Sequence, residues 1–412
     1  MRRVVITGMG VIAAPGASVG DFFSSLVAGR SGSRPIQNLP PEVVSRLNCR
    51  IAAEVPGFEP LQHFTEKELD QLDRFSQFAL VAARQALAQA GLEKLSEAQQ
   101  SRTGVCIGTA YGGIETLDTQ YFSLYAKNAT RLSPLAIPRV MYNAATCQVS
   151  MRFQARGPCL TPTTACSSAT HALGEAYRMI QQGQADWMLA GGSDAPITYG
   201  VVRGWEAMRV LAPENGNAAR ACRPFSGDRQ GIVIGEGAAV FVLEEYEAAR
   251  RRGAQILAEL AGYGANSDAS HITQPSVEGP AVAMRLALED AGMKPEEIDY
   301  INAHGTATRV NDVIETRAIK EVFGAHAKKL PVSSTKSMHG HVMGASGAIE
   351  LVAAVEAICR GVIPPTANYA TPDPECDLDY VPNQARKIPV RAALSNSFAF
   401  GGLNAVLIVK RV

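Results

Sequence analysis

The 412-residue sequence has none of the marks of a membrane, nucleic-acid or metal-binding protein. No segment reaches the roughly 20 consecutive apolar residues that a bilayer-spanning helix needs. Its 39 basic residues are balanced by 39 acidic ones, so the formal net charge is zero. A balanced charge disfavours bulk binding to nucleic acid or anionic lipid. We therefore predict a globular protein with no nucleic-acid partner and no membrane contact.

The eight cysteines also lack a pattern typical of metal ligands or disulfide frameworks. They form no C-x-x-C pair and show no zinc-ligand spacing, so we expect no structural metal. A chain of this length buries a large core without needing disulfide bonds. We interpret the cysteines as reduced thiols, which predicts a cytoplasmic protein. They occupy positions 49, 106, 147, 159, 166, 222, 359 and 376.

Strand-like and helix-like segments alternate along the whole chain. Segments such as "RRVVITGMG", "RTGVCIGTA" and "IDYINAHGT" are typical of strands, and this alternation predicts an α/β protein with buried sheets. No low-complexity linker is present, so the arginine-rich "EYEAARRRGAQ" is the best boundary, dividing the chain into residues 1–252 and 253–412. Apolar residues at helical spacing predict helices over 66–91, 167–182, 280–292, 312–323 and 346–360.

Cys166 stands in "TPTTACSSATHAL", between small hydroxylated residues and the start of a helical pattern. If the helix begins there, its unpaired N–H groups and dipole lower the pKa of the thiol. The same N–H groups are suited to hold an oxyanion. The alternative is a buried structural thiol, which is the commoner fate of a cysteine. Cys166 is nevertheless the one cysteine of the eight at such a turn.

Histidines are concentrated in two other small-residue loops. His304 lies in "NAHGTAT", and "TKSMHGHVMGASGA" contains Lys336, His339 and His341. Imidazoles beside a thiolate can transfer protons or bind a carboxylate that is about to be lost. A metal site is disfavoured because no carboxylate stands at ligand spacing. In "SFAFGGLN", Phe400 next to two glycines is either a hinged lid or part of an ordinary turn.

Taken together, these motifs resemble the β-ketoacyl-[acyl carrier protein] synthases, above all the type II condensing enzyme of bacterial fatty acid synthesis. The similarity runs from "VVITGMGV" to "AVLIVKR". It implies a thiolase-like fold, in which two similar βαβαβαββ halves form a five-layered αβαβα arrangement, usually as a homodimer. The nucleophilic cysteine would belong to residues 1–252, and the two histidines and the gating phenylalanine to 253–412.

The resemblance also implies a role for each site residue. Cys166 would take an acyl group from the phosphopantetheine arm of an acyl carrier protein. His304 and His341 would bind the malonyl thioester and promote loss of CO₂, giving a 3-oxoacyl product without a metal or organic cofactor. Lys336 would orient the histidines, with Glu315 as its partner. The other implied roles are an oxyanion hole from the N–H groups of Cys166 and Phe400, a gate at Phe400, a pantetheine tunnel at Thr306 and Thr308, and support from Asp312.

Two departures from the family pattern bear on the substrates. Tyr111, in "GTAYGGIE", stands where the family usually has a smaller residue closing the acyl pocket, which predicts shorter or unusual acyl primers. The segment that receives the acidic carrier is itself acid-rich, "TEKELDQLDRF". This predicts weak binding of the usual carrier, or a different carrier. The remaining basic candidates for carrier contact are Lys67, Arg74, Lys127, Arg131 and Arg209.

Three other functions were weighed against a condensing enzyme. A degradative thiolase needs a second cysteine near the C-terminus, and "NSFAFGGLNAVL" has none. A cysteine hydrolase leaves "TKSMHGH" unexplained. A catalytically weak chain-length partner of another synthase typically lacks the nucleophile. The acyl chain length, the choice between fatty acid and polyene or polyketide synthesis, and the choice between homodimer and heterodimer stay open at this point.

Overall fold

A computed structural model describes residues 1–214 and 216–412, in which ten strands form one large sheet. Four short strands make two further ribbons, β2 with β3 and β11 with β12. In chain order the strands are β1 Val4–Ala13, β2 Arg34–Pro35, β3 Ile51–Ala52, β4 Thr103–Gly108, β5 Cys159–Leu160, β6 Trp187–Asp194, β7 Gly237–Glu245, β8 Ala258–Ser267, β9 Tyr300–Asn302, β10 Val332–Ser333, β11 Val362–Ile363, β12 Arg386–Lys387, β13 Ala392–Ala399 and β14 Leu403–Lys410.

The large sheet consists of two five-stranded halves with the same topology. The first half has the order β5-β4-β6-β7-β1, and the second has β10-β9-β13-β14-β8. Counted along the chain within each half, both orders are 3-2-4-5-1. In each half the first two pairings are parallel and the last two antiparallel. The halves join where β1 pairs antiparallel with β8, from Val4 opposite Leu260 to Ile6 opposite Ala258.

Helices fill the layer between the two halves and cover both outer faces. The central helices α9 and α15 contact strands of both halves, α4 covers the first half, and α12 covers the second. Every described helix is too short or too polar to cross a bilayer. The helices are α1 Val19–Val27, α2 Pro41–Val44, α3 Glu66–Leu69, α4 Arg74–Ala90, α5 Glu97–Arg102, α6 Ile114–Tyr125, α7 Ala136–Val140, α8 Ala144–Phe153, α9 Ser168–Gln181, α10 Tyr199–Ala207, α11 Tyr246–Arg251, α12 Glu278–Ala291, α13 Arg309–Phe323, α14 Lys336–His339 and α15 Ser346–Arg360.

This arrangement confirms the predicted thiolase-like α/β fold with its αβαβα layers. The first half ends in the short helix α11, and the turn that follows contains residues 252 and 253, where the boundary was predicted. The predicted helix over 66–91 is wrong as a single element. It is α3 followed by α4, because the Asp73 side chain accepts the Phe75 N–H at 3.2 Å and starts a new helix. The other predicted helices correspond to α9, α12, α13 and α15.

Glycines allow the outer helices to lie against the strands at close range. A Cβ atom on Gly8 of β1 would lie 2.1 Å from the Ala86 carbonyl oxygen of α4. In the second half, a Cβ atom on Gly262 of β8 would lie 2.4 Å from the Ala287 carbonyl oxygen of α12. Both halves therefore depend on the same contact between a strand glycine and a helix backbone. This contact also explains why β8 was not predicted, since glycine and alanine weaken a strand pattern.

Candidate active site

A cleft of about 730 Å³ opens where segments from both halves meet. Cys166 comes from the turn before α9 in the first half. The second half supplies His304 after β9, His341 after α14, and Phe400 after β13. The structure therefore brings together four residues that lie far apart in the sequence. Other residues named by the sequence analysis that line this cleft are Thr306, Thr308 and Arg209.

Cys166 lies in a tight 3₁₀ turn, Ala165–Ser167, rather than at the first residue of α9. Ala165 has a φ of +48°, a left-handed conformation that is costly for a residue with a side chain. Hydroxyl groups hold the turn: Ser167 Oγ donates to the Thr164 carbonyl at 2.8 Å, and Ser168 Oγ donates to the Ala165 carbonyl at 2.7 Å. The small hydroxylated residues around Cys166 therefore fix a strained turn that presents the thiol to the cleft.

The thiol of Cys166 is protonated at neutral pH. Burial raises its pKa to about 12, and the charge of Lys336 opposes this only in part. The lowered pKa expected from the sequence is therefore wrong. The α-helix begins two residues later, at Ser168, and the cost of desolvating a thiolate outweighs the helix end. Attack by Cys166 thus requires its proton to leave as the new bond forms.

Lys336 fixes the tautomer of His304. It is fully buried, and its ammonium donates to the His304 carbonyl at 2.7 Å and reaches His304 Nδ1 at 3.3 Å. An ammonium has no acceptor, so Nδ1 carries the lone pair and the proton lies on Nε2. Burial, and then the Lys336 charge, hold the pKa of His304 well below its usual value. His304 is therefore a neutral N–H donor.

The partner of Lys336 is Glu350, and the predicted pairing with Glu315 is wrong. Lys336 and Glu350 form an ion pair in which both side chains are fully buried. The Glu315 carboxylate instead accepts the backbone N–H groups of His304 at 2.8 Å and Gly305 at 2.7 Å. Glu315 thus holds the histidine loop directly, while Glu350 stabilises the buried ammonium.

His341 is held in the same tautomer by its own loop. The Met343 N–H donates to His341 Nδ1 at 3.2 Å, so this proton also lies on Nε2. Burial, and then the Lys336 charge, hold the pKa of His341 well below its usual value. The ring centroids of His304 and His341 are 5.5 Å apart and the rings are nearly perpendicular. Two neutral imidazole N–H groups therefore share one wall of the cleft.

His339 has a different position from the other two histidines. It is fully buried, and its Nε2 lies 3.0 Å from Thr335 Oγ1. Burial lowers its pKa to about 3. Its packing against Phe22, at a centroid distance of 6.2 Å, marks it as a neutral core side chain. In the described part of the chain, no three His, Cys, Asp or Glu side chains are grouped as metal ligands would be.

The threonines and Asp312 shape the cleft wall below His304. Thr306 and Thr308 hydroxyl oxygens are 2.9 Å apart, and Thr308 Oγ1 caps α13 by accepting the Asn311 N–H at 3.3 Å. Buried Asp312 accepts the N–H groups of Thr306 at 3.1 Å and Phe225 at 2.8 Å. These contacts place two hydroxyl groups along the route from the surface to Cys166.

A second cavity, of about 460 Å³, continues beyond Cys166 and Phe400. Tyr111 and Trp205 form part of its wall, and the Trp205 indole N–H donates to the Tyr111 hydroxyl at 2.8 Å. Cys166, Trp205 and Phe400 line both this cavity and the cleft. Phe400 therefore stands between the two spaces. It is followed by Gly401 and Gly402, both in left-handed conformations with φ of +83° and +69°.

The basic residues proposed for carrier contact are not equivalent. Arg74 forms an ion pair within the protein: its guanidinium donates to Glu236 at 2.6 Å, and its side chain is only 16% exposed. This ion pair and the low exposure weigh against carrier contact at Arg74, which stays a prediction. Arg209 is exposed and lines the cleft. The other candidates, Lys67, Lys127 and Arg131, are exposed on the first half.

Three residues that the sequence analysis missed organise the site. They are Glu350, Asp194 and Trp205. Asp194, at the end of β6, accepts the N–H groups of Tyr111 at 3.1 Å and Gly344 at 2.7 Å, and so joins the loops on either side of Cys166. An aspartate two residues after the glycine pair of "LAGGSD" was the available signal for it. Glu350 lies in the second turn of α15 among apolar residues, and the sequence does not show that Lys336 is its partner.

A buried cysteine on a strained turn, two neutral imidazole donors and a phenylalanine that lines two adjoining cavities are together typical of a thiolase-like condensing enzyme. Family models agree: residues 1–249 match the N-terminal domain of β-ketoacyl synthases, and residues 257–370 match the C-terminal domain. The chain belongs to the β-ketoacyl synthase family.

Individual relatives match over the whole chain. Nodulation protein E of Rhizobium sp. (strain N33) is 48% identical, with 100% of both chains covered. The 3-oxoacyl-[acyl-carrier-protein] synthase 2 of Coxiella burnetii is 44% identical, covering 100% of this chain and 99% of the relative. A crystal structure of a β-ketoacyl synthase from Burkholderia phymatum superposes with a TM-score of 0.93, at 37% identity and 100% coverage of both chains.

A ketosynthase solved in complex with its type II PKS acyl-carrier protein also has this fold. It superposes with a TM-score of 0.90 at 35% identity, covering 100% of this chain and 99% of that one. The chain is thus similar both to a 3-oxoacyl-[acyl-carrier-protein] synthase 2 and to a type II polyketide ketosynthase. The alternatives of a thiolase and a cysteine hydrolase are set aside by these matches.

Proposed function

We propose that the protein condenses an acyl group held on Cys166 with malonyl-[acyl carrier protein], releasing CO₂ and 3-oxoacyl-[acyl carrier protein]. One observation carries this proposal: Cys166, His304 and His341 line one cleft, with both imidazoles as neutral N–H donors. A hydrolase would need a histidine that accepts the thiol proton. Here burial and Lys336 suppress the basicity of both rings.

In the first step, the Cys166 sulfur attacks the carbonyl carbon of an acyl thioester on the carrier's phosphopantetheine. The new carbon–sulfur bond replaces the old one, and the thiol proton ends on the departing pantetheine sulfur. Backbone N–H groups of Cys166 and Phe400 stabilise the oxyanion of the tetrahedral intermediate. The free carrier then leaves, so the reaction is ping-pong. Thr306 and Thr308 line the route of the pantetheine arm.

In the second step, malonyl thioester binds with its carbonyl oxygen towards the Nε2–H groups of His304 and His341. Loss of CO₂ leaves an enolate whose oxygen these two donors stabilise. The enolate carbon attacks the acyl carbonyl on Cys166 and a carbon–carbon bond forms. The carbon–sulfur bond then breaks, and the cysteine leaves as a thiolate that takes a proton from water. Lys336 supplies positive charge behind both rings and keeps the Nδ1 atom of His304 occupied. The proposal includes no metal or organic cofactor.

The cavity beyond Phe400 is proposed as the acyl pocket. Its wall is aromatic, with Tyr111 and Trp205 joined by a hydrogen bond. These two large rings occupy the wall of a cavity that Cys166 also lines, which supports a preference for short or unusual acyl primers. Arg209 and the exposed Arg309, both at the cleft, support docking of an acidic carrier at this opening.

We also propose a homodimer and a cytoplasmic location. Strand β5 ends the ten-stranded sheet, and its residues Cys159 and Leu160 are exposed, so its edge can pair with a second copy. The neighbouring helices α6 to α8 carry an exposed apolar surface that a second copy would cover. The cysteines in the described chain are all free thiols, which supports a reducing compartment. The apolar surface includes Tyr121, Phe122, Tyr125, Ile137, Met141, Tyr142 and Met151.

The proposed nucleophile is tested by mass spectrometry of the intact protein after incubation with a panel of acyl-[acyl carrier protein] thioesters. We expect the wild type to gain the mass of one acyl group, located on the Cys166 peptide, and to release that group as 3-oxoacyl carrier when malonyl carrier is added. Cys166→Ala should gain no mass. A wild type that retains no acyl group from any carrier would refute the condensing role.

A further inference from the structure

Trp205 lies between the proposed acyl pocket and the proposed gate. It is in helix α10 and is 8% exposed. Its indole N–H donates to the Tyr111 hydroxyl at 2.8 Å. Its ring also stacks on Phe400, with centroids 5.7 Å apart and an angle of 24° between the planes. One side chain therefore contacts both the residue that closes the pocket and the residue that opens it.

The two neighbours of Trp205 differ in how firmly they are held. The Tyr111 backbone N–H donates to Asp194 at 3.1 Å, and Asp194 itself is fully buried and bound to three other donors. Phe400, in contrast, precedes two glycines with positive φ, at a hairpin end that can change its backbone conformation. Of the two residues that contact Trp205, Tyr111 is therefore held in place by hydrogen bonds, and Phe400 lies next to a flexible hinge.

We propose that Trp205 is a positioning residue that determines acyl-chain selectivity. Its hydrogen bond to Tyr111 holds the indole against Phe400, and this keeps the pocket short and the gate closed against long acyl groups. The inference rests on the proposed function, because it concerns the acyl group that Cys166 accepts. The chemical class selected is a short acyl thioester, and the residue pair that selects it is Tyr111 with Trp205.

A long acyl chain can enter the pocket only by breaking the hydrogen bond between Trp205 and Tyr111, and this costs free energy. To enter, the chain must displace the phenol or the indole, which leaves a buried N–H group without an acceptor. A ten-fold discrimination corresponds to about 1.4 kcal/mol, which is the size expected for one such unpaired group. Without the phenol oxygen the indole has no bond to lose, so the discrimination should fall by this factor.

The test compares Tyr111→Phe, which keeps the ring and removes the oxygen, with Tyr246→Phe as a matched control. Tyr246 lies in helix α11 and lines neither cavity. Rates of acyl transfer to Cys166 are measured by intact mass with butanoyl and dodecanoyl carrier. We expect Tyr111→Phe to raise the long-to-short rate ratio about ten-fold, the equivalent of 1.4 kcal/mol, and Tyr246→Phe to leave it unchanged.

A second variant and a fluorescence measurement distinguish loss of the hydrogen bond from a general disturbance of the structure. Trp205→Phe keeps an aromatic ring without the N–H group, so it should raise the ratio as Tyr111→Phe does, and the double variant should add nothing further. The chain has two tryptophans, so Trp187→Phe leaves Trp205 as the only indole. In that background, acylation of Cys166 should shift the fluorescence, and Tyr111→Phe should abolish the difference between short and long chains.

The outcomes separate this inference from the proposed function. If the variants accept acyl groups on Cys166 with an unchanged long-to-short ratio, Trp205 does not set selectivity, and the condensing function stands. If the effects of the two single variants add in the double variant, the hydrogen bond is not the shared cause, which also overturns the inference. If wild-type Cys166 takes no acyl group of any length, the proposed function fails and this inference fails with it.

Discussion

At the scale of single residues, the environment of Cys166 decides how it reacts. Burial raises the pKa of its thiol to about 12, while the Lys336 charge lowers it by a smaller amount. The group is therefore almost wholly protonated near neutral pH, and the thiolate fraction increases with pH. In the proposed reaction, the reactivity of Cys166 therefore depends on the strained turn and the neighbouring donors more than on a thiolate already formed.

This predicts the pH dependence of alkylation at Cys166. Between about pH 7 and about pH 9, the rate of reaction with iodoacetamide should rise about ten-fold per pH unit and reach no plateau, because only the thiolate reacts. Peptide mass spectrometry measures the rate at each cysteine separately. The double variant Lys336→Met/Glu350→Gln removes both charges of the buried ion pair. Because the Lys336 charge lowers the pKa of Cys166, the alkylation rate of Cys166 should fall in this variant. A plateau below neutral pH would show a thiolate that burial has not suppressed.

Individual residues were the part of the site that could best be predicted from the sequence. Cys166, His304 and His341 each stand in a small-residue loop next to a helix, and this local context was enough to select them. The residues that bind to them could not be predicted from the sequence, because these contacts depend on how the chain packs. Lys336 pairs with Glu350 of the next helix, and Asp194 binds Tyr111, which lies 83 positions away. Glu315 was chosen as the partner of Lys336 and in fact binds backbone N–H groups.

At the scale of elements, the structure repeats one design in both halves. A strand glycine meets the backbone of the covering helix, Gly8 against Ala86 in the first half and Gly262 against Ala287 in the second. The segments "ITGMGVI" and "LAGYGAN" share this pair of glycines. The alternation of strands and helices predicted the elements, but the duplication was visible only weakly in the sequence. The two halves share backbone contacts, and many combinations of side chains are compatible with these contacts. The duplication can therefore be present in the structure with little similarity in the sequence.

The glycine contact predicts the stability of two variants. Gly8→Ala places a Cβ atom 2.1 Å from a helix carbonyl oxygen, so α4 must move away from β1. We expect the free energy of unfolding to fall by about 1–3 kcal/mol, measured by urea denaturation. Gly20→Ala is the matched control, because it lies in helix α1 with nothing within 4 Å of the added Cβ atom. It should leave stability unchanged or raise it by up to about 1 kcal/mol. Equal effects of the two would contradict the packing explanation.

At the scale of the whole molecule, the reaction depends on both halves. The first half supplies the proposed nucleophile, and the second supplies the proposed imidazole donors and gate. Helices α9 and α15 lie between the halves, and each follows a loop that contributes to the cleft. The fold class and the family could be predicted from motifs spread over the full length. The pairing of β1 with β8, which joins the two halves of the sheet, could not be predicted. It pairs the start of β1 with a segment that has no strand pattern.

The central claim is that His304 and His341 act as neutral N–H donors to the enolate oxygen. Its most direct test is the rate of CO₂ release from malonyl carrier, measured beside acyl transfer to Cys166 in the same preparations. His304→Leu has no donor and should lose about 10²- to 10³-fold in CO₂ release. His304→Asn presents an amide N–H and should remain at least about ten-fold faster than the leucine variant. Both should still accept an acyl group on Cys166. If the asparagine variant releases CO₂ as slowly as the leucine variant while acyl transfer persists, the histidine acts by accepting a proton, and the account is contradicted.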